Sequence, residues 1–129
     1  MKLQLEQKEI EAVLLDCFCN GGLTELYSSG IDHTYNQAKY EKFAVKGASY
    51  EDNLINLLKG SGRLKFVDME DEDNTVFLTM ELAQERLTNI ENKTVIESIL
   101  KVDEYSYNAD AWDGYNVLQY LLYNDIIFG

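Results

Sequence analysis

The sequence predicts an α+β fold: one mainly helical domain spanning residues 1–129, with a single β-hairpin at about residues 63–80 packed on about five helices. Two observations carry that expectation. Apolar residues recur at helical spacing in several separate stretches, and only around residues 63–80 does the period drop to two. A third concerns size: 129 residues with 46% hydrophobic and 12% aromatic content suit one independent core and argue against disorder.

The elements follow in order. Over residues 6–20, Ile10, Val13, Leu14 and Cys17 keep i, i+3, i+4, i+7 spacing, and Gly21-Gly22 supplies a left-handed stop. A short helical turn is expected at 24–27, closed by Ser28-Ser29-Gly30. A second helix over 36–46 places Ala38, Phe43 and Ala44 inward and Lys39, Lys42 and Lys46 outward. A third starts at Ser49, with Asp52 three residues on as in a capping box, and its dense Leu54, Ile55, Leu57 and Leu58 predict burial. Gly60-Ser61-Gly62 ends it.

In the hairpin, Leu64 and Phe66 form one inward row and Val76, Leu78 and Met80 the other, joined by the polar segment 68–74 read as a loop. Helices resume through Leu82, Ala83 and Leu87, then from Thr94 with Val95, Ile96, Ile99 and Leu100 inward. A polar, tyrosine-bearing connector occupies 103–108. The last helix, 109–127, is expected to be capped by Asn108 or Asp110, with Ala111, Tyr115, Leu118, Leu122 and Ile126 inward and Gly114 as a weak point. Element order over residues 6–80, three helices followed by a hairpin, resembles a winged-helix arrangement, although no strand is evident between the first helices.

Charge is the strongest functional signal. Residues 1–67 carry 8 Lys/Arg and 9 Asp/Glu, whereas residues 68–129 carry 3 and 14, so nearly all of the net −12 lies in the second half. Such a chain is a poor candidate for direct contact with nucleic acid, whose phosphates demand cations. A lopsided acidic field suits a basic protein partner instead. The lack of a long apolar run excludes a spanning helix, the start of the chain lacks signal-peptide character, and the reading is a cytoplasmic protein without membrane contact. Cys17 and Cys19, two apart on a helix, face apart and cannot pair with each other, which fits a reducing compartment.

Chemical motifs are absent. The lone histidine, His33, sits in a predicted loop, Gly30-Ile31-Asp32-His33-Thr34, with no nucleophile elbow in the chain, and reads as a surface residue. A Cys17, Cys19, His33 metal site falls one ligand short of a structural zinc site. The acids at 68–73 do not keep EF-hand spacing, because the twelfth position from Asp68 is Thr79. Glu91-Asn92-Lys93 has the spacing of a metal-dependent nuclease but follows a helix instead of ending a strand. The expectation is therefore no catalytic residue, no metal and no cofactor. Five of the nine tyrosines, Tyr105, Tyr107, Tyr115, Tyr120 and Tyr123, crowd the last quarter and suit an interface or a core rim.

The stretches Tyr50-Glu51-Asp52-Asn53-Leu54-Ile55, Leu64-Lys65-Phe66-Val67-Asp68 and Asp110-Ala111-Trp112, with Leu118-Gln119-Tyr120 and Ile126-Ile127-Phe128-Gly129, resemble small acidic accessory proteins of bacteriophages and bacterial mobile elements. That resemblance implies a protein that binds host machinery, in which an acidic surface imitates the charge of DNA. The leading expectation is a non-enzymatic inhibitor that engages a basic surface through Asp68, Glu70, Asp71, Glu72 and Asp73. Asp103, Glu104, Tyr105, Tyr107, Asp110 and Asp113 form a second patch. The alternatives are a structural component acting as a homo-oligomer and, third, a metal-dependent hydrolase.

Overall fold

The computed structural model describes residues 4–88, 90–103 and 111–128, with backbone alone at 102 and 103. Helix α1 (Gln7–Cys19) buries the four predicted residues and adds Phe18. At its start the Glu9 carboxylate accepts the Glu6 amide at 3.0 Å, placing an acid where the helix dipole favours one. Gly21, at φ 85°, turns the chain directly into α2 (Gly22–Ser28). A Cβ on Gly22 would lie 2.7 Å from the Cys17 carbonyl oxygen and 3.1 Å from the backbone of Gly114, so only glycine permits this crossing.

The chain then forms β1 (Ile31–Thr34), where the sequence reading has a loop. Four residues without clean alternation are too short to announce a strand. Pairing with β2 (Leu64–Asp68) supplies what local sequence does not, with Ile31 opposite Asp68 and His33 opposite Phe66. A strand therefore does stand between the early helices, and the antiparallel sheet runs β1-β2-β3.

Helix α3 (Gln37–Phe43) is capped by the Asn36 side chain, which accepts from Lys39 N at 3.0 Å. It stops three residues before the predicted end, because Ala44 is extended, at ψ 138°. Ala38 is exposed and Phe43 and Ala44 are half-buried, so this helix lies on the rim instead of burying an apolar stripe. Helix α4 (Tyr50–Lys59) has the expected cap, Ser49 Oγ accepting from Asp52 N at 3.0 Å, and buries Leu54, Ile55, Leu57 and Leu58. Its buried Asn53 accepts from Val45 N at 2.9 Å and so ties down the connection from α3.

Strand β3 (Asp71–Leu78) pairs antiparallel with β2, and α5 (Met80–Thr88) follows at once, with Thr79 Oγ1 accepting from Leu82 N at 3.1 Å. Met80 thus begins a helix instead of ending the strand. Helix α6 (Lys93–Asp103) is capped by Asn92, whose Oδ1 accepts from Val95 N at 3.1 Å, not by Thr94. Val95, Ile96 and Ile99 are buried, while Leu100 is exposed.

The last helix, α7 (Ala111–Tyr123), packs against α6, α2 and α1 and buries Tyr115, Val117, Leu118, Leu121 and Leu122. Its expected caps, Asn108 and Asp110, lie outside the described residues, as do Glu104 to Asn108 of the connector. Gly114 is no weak point. A Cβ there would lie 3.2 Å from the Cys17 Cα and carbonyl oxygen, and the bare backbone lets α7 cross α1 and α2 at close range. Ser29 Oγ and the Tyr115 hydroxyl are hydrogen-bonded across that crossing. Beyond α7, buried Gln119 Oε1 accepts from Ile127 N at 2.9 Å and Phe128 N at 2.7 Å, folding the last described residues back onto the helix. One hydrophobic core joins residues from the helices and the inner face of the sheet. Among the described residues, no helix is long and apolar enough to cross a membrane.

Candidate interaction surface

The acids at 68–73 are not a loop. Asp68 ends β2, Met69-Glu70 makes the turn, and Asp71 opens β3. The ladder is irregular here: Val67 faces Thr75 and Asp68 faces Asp71, which leaves Glu72, Asp73 and Asn74 without residues opposite them. The three bulge outward at the end of an edge strand, a place where proteins put charge to discourage further pairing. Carboxylates organise the tip from within. Asp68 Oδ1 accepts from Glu70 N at 2.9 Å, Asp71 Oδ1 accepts from Asp73 N at 3.2 Å, and Thr75 Oγ1 donates to the Glu72 carbonyl at 2.8 Å. The turn is fastened to the body by Met69 N donating to the Gly30 carbonyl at 2.8 Å.

The outcome is a shaped acidic tip. Glu70, Asp71, Glu72 and Asp73 are exposed and Asp68 is half-buried. None of the five forms an ion pair with another described residue. Met69 stands among them 47% exposed, an apolar surface that a tally of charge along the sequence does not reveal. Tyr123 borders the tip, and its hydroxyl pKa is raised by burial and then by the nearby Asp68 carboxylate.

The second expected patch is a different case. Asp113 is only 6% exposed and lies 3.9 Å from Lys101 Nζ of α6, so it turns inward at the helix crossing and is withdrawn from the exposed set. The reason is phase: Asp113 precedes Gly114 on the face of α7 that meets α1, and its charge helps raise the Cys17 pKa. Asp103 ends α6, its side chain outside the description. Glu104, Tyr105, Tyr107 and Asp110 lie outside the described residues.

His33 is not a surface histidine. It is half-buried, its Nε2 lies 2.9 Å from the Tyr50 hydroxyl, and its ring lies 6.1 Å from Phe66 and 6.2 Å from Tyr50. Burial lowers its pKa, opposed by the neighbouring Asp32 carboxylate. Tyr50 in turn meets Tyr35 and Tyr40, which stack at 5.0 Å. Missing β1 in the sequence hid this cluster, because the strand carries His33 onto the inner face beside Phe66.

Cys17 is buried and Cys19 exposed, both free thiols, and burial drives the Cys17 pKa far above the ordinary thiol range. Among the described residues no group of three metal-binding side chains converges. Glu91 and Lys93 stand at the entry to α6, directly after Ile90, which forms an isolated β-bridge and not a strand. Compared with family models, curated proteins and solved structures, the chain matches none of them.

Proposed function

We propose that this protein is a non-enzymatic binding protein whose hairpin tip engages a basic surface of a protein partner. The observation that carries the reading is the bulged tip: Glu70, Asp71, Glu72 and Asp73 exposed together around Met69, with no described cation paired to them. Charge of this kind steers the encounter, and an apolar residue at its centre supplies the contact that water gives up. A partner that normally holds nucleic acid offers the matching surface, and occupation of that surface by the tip would inhibit it by charge mimicry. The spacing of the acids is set by the turn and bulge, so the tip meets its partner already shaped.

The test is affinity capture from a host lysate at low salt, with the parent chain and with a Glu70→Gln, Asp71→Asn, Glu72→Gln, Asp73→Asn variant. The reading expects a basic protein retained by the parent, released by about 0.5 M salt, and lost by the variant. A partner retained equally by both proteins overturns it.

A further inference from the structure

At the opposite end of the sheet from the acidic tip, the chain gathers positive charge. A cavity of about 260 Å³ is lined by Thr34, Tyr35, Lys39, Arg63, Lys65 and Phe77, with Asn36 and Leu57 completing it. The register explains the gathering. Thr34, Lys65 and Phe77 stand opposite one another on β1, β2 and β3, and Lys65 and Phe77 leave the face opposite buried Leu64, Phe66 and Leu78. Arg63 enters through the turn before β2. There a Cβ on Gly62 would meet the Leu57 side chain at 2.3 Å, so the glycine lets the strand start close against α4. Lys39 comes from the first turn of α3 and lines the same cavity.

Three cations therefore share one cavity in a chain of net charge −12, and none forms an ion pair with a described carboxylate. Surface cations left to themselves in so acidic a chain have many carboxylates to meet. Arg63 is held in place: its guanidinium lies 3.9 Å from the centroid of the Phe77 ring. That contact fixes the plane of a fork suited to two oxygens of a phosphate. Tyr35, backed by its stack on Tyr40, and buried Leu57 give the same cavity an apolar wall. Cations from a helix and from the sheet, lining one cavity together with aromatic rings, suit a ligand that combines phosphate with a planar ring.

We propose that this cavity is a binding site for a nucleoside diphosphate, its phosphates held by Arg63, Lys65 and Lys39 and its base against Tyr35. The site is independent of the acidic tip, so either can fail without the other.

The experiment is calorimetric titration of the intact chain with ADP, pyrophosphate and adenosine, accompanied by amide chemical-shift mapping. The expected order is ADP tightest, pyrophosphate weaker and adenosine weakest, with shifts centred on residues 34–39 and 63–65. Lys39→Gln and the pair Arg63→Gln, Lys65→Gln are each expected to weaken ADP about tenfold per cation removed, and Lys8→Gln on α1 to leave it unchanged. Lys39 is exposed on a rim helix, so that variant reads binding even if the double variant folds poorly. No ADP binding, equal binding of ADP and adenosine, or ADP binding unaffected by Lys39→Gln overturns the proposal. Pyrophosphate binding as tight as that of ADP also overturns the assignment to a nucleotide.

Discussion

The crossing of α1, α2 and α7 and the tip of the β2–β3 hairpin are built on opposite terms. At the crossing, Gly22 and Gly114 bring three backbones together, Leu118 and Tyr115 fill the remaining space, and even Asp113 is buried. At the tip, residues 70–74 are all exposed, and the local hydrogen bonds run between a carboxylate or hydroxyl and the backbone two or three residues away. The difference teaches where each kind of substitution should be felt. Changes of volume should act on the crossing and changes of charge on the tip, with little exchange between the two.

The largest effect belongs to Leu118→Ala, which removes a fully buried side chain that reaches Gly22. A loss of about 2–5 kcal/mol is expected in denaturant titration, and a loss below about 1 kcal/mol would show that the crossing is looser than described. Gly22→Ala should follow at about 1–3 kcal/mol, because its new Cβ meets a backbone oxygen at 2.7 Å that has no flexible end to move aside. The reverse change in the tip, neutralising Asp71 and Asp73 together, should shift stability by no more than about 0.5 kcal/mol. A substantial loss there would mean that the Asp71 side-chain bond holds the hairpin, not only its turn.

His33, beside Phe66 and Tyr50, belongs to neither region and tests how far burial extends along the sheet. Burial lowers its pKa below the ordinary 6.5, so the unfolded chain takes up the proton first as pH falls. The stabilising contribution is thus present above about 6.5 and is lost as pH drops from there through the lower folded value. Urea titrations at pH 7.5 and 5.5 should show this loss in the parent and a smaller one in His33→Gln. Equal pH dependence in both would assign the effect to carboxylates. Thiol chemistry gives the mildest probe: one reactive thiol per folded chain, Cys19, and two after unfolding. Reaction at Cys19 should be slow, since partial burial and then Glu51, Asp52 and Asp16 raise its pKa.

The sequence was most legible where one helix face carries the burial. α1 and α4 and the inward rows Leu64–Phe66 and Val76–Leu78 appear as their periods predict, because each element decides its own face. What escaped depends on partners. Strand β1 is four residues long and exists through its pairing with β2, and of the acids that open β3 only Asp71 has a partner, Asp68, while Glu72 and Asp73 bulge from the edge. Gly114 reads as a helix weakness until α1 and α2 are placed against it. Asp113 reads as surface because charge does, although three-dimensional packing puts it beside Lys101 and the Cys17 thiol. The acids of the tip were legible as charge, but not as a bulge fastened to Gly30. The cationic cavity was illegible altogether, since Lys39 and Arg63 meet only through the sheet.

The most direct measurement of the central claim is the association rate of the captured basic partner with the parent and with the Glu70→Gln, Asp71→Asn, Glu72→Gln, Asp73→Asn variant. It should be made at low salt and at about 0.15 M, where the screening length is about 8 Å. The account predicts an association rate at least tenfold slower for the variant at low salt, a smaller gap at higher salt, and unchanged stability. Equal association rates for parent and variant at low salt would contradict it.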